Sequence, residues 1–153
     1  MAIVAETGRV VAVPEELSSR YRTLASALRQ VQGDNGLWHT VLDRPDYYQE
    51  TSASAGIACG FLKAVKGGLL DDSFLESAGK ALEGILPLIR EDGEVQGVSG
   101  GTPVMPSIEA YNAIGRYPAL YGQGLVMQLL TEALDHQHPQ QTVPLNSEGK
   151  GGR

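Results

Sequence analysis

Between Glu16 and Gln32, the apolar residues Leu17, Tyr21, Leu24, Leu28 and Val31 recur at alternating steps of four and three, which places them on one stripe of an α-helix. Arg20, Arg22, Arg29 and Gln30 occupy the opposite side, so this helix has one wet face, and Gly33 ends it. A second helix is predicted from about Glu50 to Lys66. Gly67 and Gly68 close it, because glycine adopts helix-ending left-handed backbone at little cost. Ala53, Ala55, Gly56, Ala58, Cys59 and Gly60 are small and spread round its circumference, which predicts packing on most sides. A third helix opens on Ser73 and Glu76, spaced as a capping box in which each side chain satisfies the other's free N–H. Phe74, Ala78, Leu82, Ile85 and Ile89 form its stripe, Glu76, Lys80 and Glu83 face water, and Pro87 kinks or ends it. A last helix, from about Gly122 to His136, buries Leu125, Val126, Leu129, Leu130, Ala133 and Leu134. The opening MAIVAETGRVVAVP fits either a helix broken at Gly8 or a strand.

Two segments follow one plan. GDNGLWH (33–39) and EDGEVQGV (91–98) each end a one-sided helix and lead through a long loop into a more evenly apolar one, at a helix-hairpin repeat length. Wet-sided helices alternating with dry ones predict an all-α fold, an arc of a double-layered ring with outer helices toward solvent and inner helices lining the middle. The chain carries roughly two and a half such hairpins, within residues 1–136. Residues 137–153 are too poor in apolar groups to fold alone and are expected to form a disordered tail.

The 153 residues, 42% hydrophobic and 20% charged, fit one globular domain. A net charge of −6 argues against nucleic acid or an anionic membrane surface as the main partner. Cys59 is the sole cysteine and lies in an apolar run, so a buried inert thiol and a reducing compartment, the cytoplasm, are expected. MAIVAETGR lacks the basic-then-apolar pattern of a signal peptide, and no apolar run approaches the roughly 20 residues that span a bilayer.

In a double-layered ring, every loop leading from an outer to an inner helix emerges at one end, where inner-helix N-termini offer free N–H groups to a ligand. Two such loops are present, at about 33–51 and 91–122. The first brings Trp38, His39, Tyr47 and Tyr48 together with Asp43, Asp46 and Glu50. Aromatic faces stack on sugar rings and carboxylates accept sugar hydroxyls. Trp38 serves equally as a plug between helices, His39 as a packed histidine, and Asp46, Glu50, Thr51 and Ser52 as helix-capping groups. The second loop carries Gly97, Gly100, Gly101, Gly122 and Gly124 with Ser99, Thr102, Tyr117 and Tyr121. Its glycines suit close backbone approach to a ligand, a flexible lid or a tight connection, but it lacks a phosphate-loop ending. His136 and His138 sit in a polar, proline-containing end where solvated side chains are expected, and no metal site is expected from the three histidines.

GLWHTVLDRPDYYQETSASAGIACGFLKAV, ALEGILPLIREDGEVQGVSGGTPV and YGQGLVMQLLTEAL together resemble the C-terminal part of glycoside hydrolase family 105, the unsaturated rhamnogalacturonyl hydrolases, across about Leu17–Leu134. GLWH with ETSAS is the most specific part. The resemblance implies part of an (α/α)6 barrel, with more than half of the ring outside this chain. It implies hydrolysis of unsaturated uronic-acid disaccharides derived from pectin. The C4–C5 double bond is hydrated with an aspartate as general acid and base, without metal or organic cofactor. That aspartate and a Trp-Ala-Arg-Gly-Asn-Gly-Trp motif belong upstream of Met1, so no catalytic residue is assigned here; Asp43, Asp46 and Glu50 match carboxylates of the family's first loop.

On this reading the partner is an unsaturated oligosaccharide. Trp38 and Tyr121 are expected to stack on or border it, and His39, Thr51, Ser52 and Thr102 to hydrogen-bond it. The alternative is a helical remnant without chemistry, an interaction or structural module whose exposed inner face demands self-association or the missing N-terminal half.

Overall fold

The computed structural model describes residues 13–137. Five helices follow in order: α1 (Glu15–Gln30), α2 (Thr51–Lys66), α3 (Ser73–Ile85), the short α4 (Ile108–Asn112) and α5 (Leu120–Gln137). A 3-10 turn, Leu86–Leu88, carries Pro87 and ends α3 as expected. Among the described residues there is no strand, only isolated bridges at His39–Gln49, Ile89–Val95 and Ser99–Arg116. The opening segment to residue 12 and the expected tail, apart from Gln137, lie outside the described residues.

Helix α1 buries Ser18, Tyr21, Ala25 and Leu28, a stripe turned by one residue from the expected one. Leu17 and Leu24 remain 44% and 49% exposed, which corrects their assignment to the core. Ser18 and Ala25 are buried instead, and the Tyr21 hydroxyl ties this face to α2 by donating to the Gly60 carbonyl at 3.0 Å. Burial pushes the Tyr21 phenol up to about 12.

Helix α2 is buried round most of its circumference, as its small residues predict, and packs on both α3 and α5. Trp38, Phe61 and Phe74 run through the core edge to face, with ring centres 6.0 and 5.1 Å apart. The capping box on α3 does not form. Asp71 accepts the Ser73 N–H at 2.9 Å, the Ser73 hydroxyl accepts from Arg29, and Glu76 pairs with Lys80 at 2.8 Å. Ile85 is fully buried, but Leu82 and Ile89 are only partly so.

Helix α5 starts two residues before the expected Gly122 and buries Val126 and Leu129, while Leu134 is 60% exposed, against expectation. Buried Glu132 pairs with Lys63 at 3.2 Å and Lys66 at 3.3 Å, fastening the C-terminal parts of α2 and α5. A buried carboxylate needs such partners to offset desolvation. His136 is half-buried, with Nε2 2.9 Å from the Leu62 carbonyl, so it does not stand in solvent as expected.

The two similar segments are one turn used twice. Gly33 N–H donates to Leu37 O and Gly36 N–H to Gly33 O; Arg90 N–H donates to Glu94 O and Gly93 N–H to Arg90 O. Gly36 and Gly93 hold φ of 87° and 84°, where any side chain is strained. Their surroundings differ: a Cβ on Gly36 would lie 2.1 Å from the Lys80 carbonyl oxygen, whereas one on Gly93 meets nothing. Both long loops then emerge at one end, where Thr51 N–H donates to Gly97 O and Tyr48 N–H to the Asn112 side chain.

Two stability measurements follow. Gly93→Ala costs about 1 kcal/mol of unfolding free energy for its backbone strain, and Gly36→Ala at least about 3 kcal/mol because the α3 backbone must also move, as read by denaturant unfolding. Because the folded-state Tyr21 pKa is raised, its contribution is complete below the unfolded value of 10.0 and is lost as pH rises toward about 12. Tyr21→Phe costs about 1 kcal/mol at neutral pH and flattens the alkaline fall in melting temperature over that window.

Candidate active site wall at the loop end

Glu50 ends the first loop and caps α2. Its position directly before a helix lets the side chain meet free N–H groups and the positive end of the helix dipole. One carboxylate oxygen accepts the Ala53 N–H at 2.5 Å and the other accepts the Ser99 N–H at 2.9 Å. The Ser52 hydroxyl lies within 2.9 Å of both. Glu50 is thus a buried clasp that joins α2 to the second loop across forty-nine positions of sequence. The Tyr121 hydroxyl donates to the Ser99 carbonyl from the other side, fastening α5 to the same strand of loop.

Between the loops lies a cavity of about 520 Å³ lined by His39, Glu50, Ser52, Thr102 and Tyr121, the Ser99–Gly101 stretch, and apolar Ala53, Ile57 and Leu125. That volume suits a sugar residue or a disaccharide end. His39 has Nδ1 2.6 Å from the Tyr47 carbonyl, which fixes the ring while it faces the cavity. Thr102 is exposed, with its hydroxyl donating to Gly100 O at 3.3 Å. Burial, and next the nearby Glu50 carboxylate, holds the Tyr121 phenol above its ordinary value, so it remains a hydrogen-bond donor at neutral pH.

Of the residues expected to meet a ligand, Trp38, His39, Ser52, Thr102 and Tyr121 come together on this cavity. Thr51 does not line it, and Trp38 does so from within the core. Trp38 is 0% exposed, its indole N–H donates to Leu28 O at 2.7 Å, and its ring is packed on Phe61. Thr51 is also fully buried, under Gly97. The loop glycines divide as well: Gly100 and Gly122 make room for Tyr117 and Val98, whereas Gly101 and Gly124 stand in open space. The residue that sequence reasoning undervalued is Glu50. Its place before α2 was visible as a cap, but its bond to Ser99 was not.

The other first-loop carboxylates lie outside the clasp. The Arg44 hydrogen bond holds exposed Asp46 below the usual carboxylate range, and Arg44 also lies 4.3 Å over the Tyr47 ring. Asp43 lines a neighbouring cavity of about 570 Å³ that shares His39 and Leu42 with the first. Among the described residues, no three His, Cys, Asp or Glu side chains group so as to hold a metal ion, and no helix is long and apolar enough to cross a membrane.

Outer helices backing inner ones, with both long loops and a cavity at one end, define a sector of a helical-toroid protein. Residues 12–137 match the family model described as Glycosyl Hydrolase Family 88, and the chain belongs to that family. It is 42% identical over 115 residues to the unsaturated rhamnogalacturonyl hydrolase YesR of Bacillus subtilis (strain 168), covering 74% of this chain and 31% of that protein. Two solved structures titled as possible members of the GH105 family superpose on it. That from Klebsiella pneumoniae has TM-score 0.84 and 34% identity over 89% of this chain and 37% of its own. That from Salmonella enterica has TM-score 0.83 and 33% identity over 89% and 38%. The all-helical toroid class and the family resemblance are therefore both met, and the chain spans about a third of the length of these relatives.

Replacing the clasp tests its structural share. Glu50→Ala costs about 3 kcal/mol in denaturant unfolding and speeds hydrogen exchange at the Ser99 and Ala53 amides, since two buried N–H groups lose a charged acceptor. Asp46→Ala, on an exposed pair, stays within about 0.5 kcal/mol.

Proposed function

We propose that this chain supplies one wall of the sugar site of a cytoplasmic glycoside hydrolase that cleaves unsaturated uronic-acid disaccharides by hydrating the C4–C5 double bond. The observation that carries the reading is the cavity at the α2 N-terminus, where His39 and Thr102 from the two long loops converge with Ser52 of α2 and Tyr121 of α5. Membership of Glycosyl Hydrolase Family 88 supports the reaction class, and the relative's name, unsaturated rhamnogalacturonyl hydrolase, supports the substrate class. His39 and Ser52 border sugar hydroxyls, Thr102 and the Ser99–Gly101 backbone offer polar contacts, and Tyr121 edges the sugar ring. The proton-transferring aspartate is assigned to polypeptide outside these 153 residues.

The second reading is a helical module without chemistry. Exposed Leu17 and Leu24 on α1, with Met127 and Leu134 on α5, favour packing against further polypeptide, whether the rest of the ring or another copy.

A chimera separates the two. The matching 115-residue stretch of the Bacillus subtilis relative is replaced by this chain's, and loss of the ultraviolet absorbance of an unsaturated galacturonyl-rhamnose disaccharide is followed. The chimera turns substrate over and the 153-residue chain alone does not. A chimera that folds by circular dichroism yet stays inactive supports the non-catalytic module, and turnover by the chain alone refutes the placement of the aspartate.

A further inference from the structure

Along α5 the residues Leu120, Met127 and Leu134 stand seven apart and are 91%, 64% and 60% exposed. At about 100° per residue they fall, with Gly124 and Thr131, on one stripe opposite buried Gly122, Val126 and Leu129. Nothing on this stripe carries charge. The Thr131 hydroxyl donates to the Met127 carbonyl at 2.8 Å, so its polar hydrogen is already used within the helix. A Cβ on Gly124 would meet nothing within 4 Å, which leaves the backbone there open to close approach. The acidic residues of α5 turn to the lysines of α2: Glu132 pairs with Lys63 and Lys66, and Asp135, at the edge of the stripe, pairs with Lys66. Another exposed apolar pair, Leu17 and Leu24 on α1, differs in this respect, because the 2.7 Å Glu16–Arg20 ion pair lies beside it.

An uncharged apolar stripe that repeats every seven residues is the pattern one helix presents to another. This stripe also has a centre. Leu120 and Leu134 lie equally far from Met127, so reversing the helix about Met127 maps the stripe onto itself. Gly124 then falls level with Leu130, which is half-buried on the flank of the stripe, and a small group meets a large one. A surface that complements itself under a half-turn is what a two-fold dimer requires, and two-fold dimers are the commonest oligomers. We infer that α5 docks antiparallel on α5 of a second copy of this chain, with Met127 against Met127 on the axis and Leu120 against Leu134 on either side. A single helix pair covers less area than a permanent interface, so the dimer is reversible, with a dissociation constant of about 10–100 μM. The stripe shares no residue with the loop-end cavity, and the pairing does not depend on what that cavity holds.

Sedimentation of the 153-residue chain against concentration reads the dimer, and engineered cysteines read its register. Met127→Asp weakens association at least about 100-fold, since it places unpaired charge on the axis, while Leu24→Asp on α1 leaves it within about twofold. Under mild oxidation Met127→Cys links to its own copy. Leu120→Cys and Leu134→Cys do not self-link, because like residues lie about 21 Å apart along the pair, but a mixture of the two forms a mixed disulfide. Cys59 is buried and common to every variant. A chain that stays monomeric at about 1 mM overturns the inference. So does self-linking of Leu120→Cys in preference to Met127→Cys, whether or not Met127→Asp folds. A monomer whose α5 amides shift only when the part of the Bacillus subtilis relative outside the matched 115 residues is added assigns the stripe to the rest of a ring, and overturns it too.

Discussion

The packing of α2 against α3 and α5 constrains everything else. A helix enclosed on most sides must present small residues, because backbones that approach closely leave no room for long side chains. Ala55, Ala58, Gly60 and Ala64 meet that requirement, and Phe61 fills the one wide gap with Trp38 and Phe74. Gly60 also leaves its carbonyl open to the Tyr21 hydroxyl, which fixes how α1 lies across α2.

With α2 held, its ends decide what the chain can do. At the C-terminal part, Lys63 and Lys66 close on Glu132 of α5, satisfying a buried carboxylate away from the ligand end. At the N-terminus, the free N–H groups of the first turn draw in Glu50, and the spare capacity of that carboxylate reaches Ser99. One acidic side chain therefore serves as helix cap, inter-loop clasp and the charge that faces the cavity. The polar groups on either side are spaced by backbone that cannot drift apart without exposing a buried carboxylate.

Membership of Glycosyl Hydrolase Family 88 gives this geometry its setting. Hydroxyl-rich ligands are recognised by several modest hydrogen bonds held in register, so a rigid clasp at the base of two loops suits their recognition. The twice-used glycine turn serves the same end. Each copy redirects an outer helix into a loop with the same hydrogen-bond pattern, and each loop delivers its residues to the same side of the ring sector.

The sequence by itself determined the order of the four long helices, the dry character of α2, the repeat of Gly36 and Gly93, and the shared end of the two loops. These follow from local spacing and backbone preference, which neighbouring residues encode directly. It misplaced what depends on a partner far along the chain. The stripe of α1 turned from Leu17 and Leu24 to Ser18 and Ala25, with Tyr21 bonded to Gly60 of α2, and Ser73 left its capping box. Thr51 likewise went to the core, while Glu50 became the clasp through Ser99. Only the tertiary structure decided those fates, because the direction in which a side chain is spent depends on which distant surface folds against it, and periodicity records only that one will.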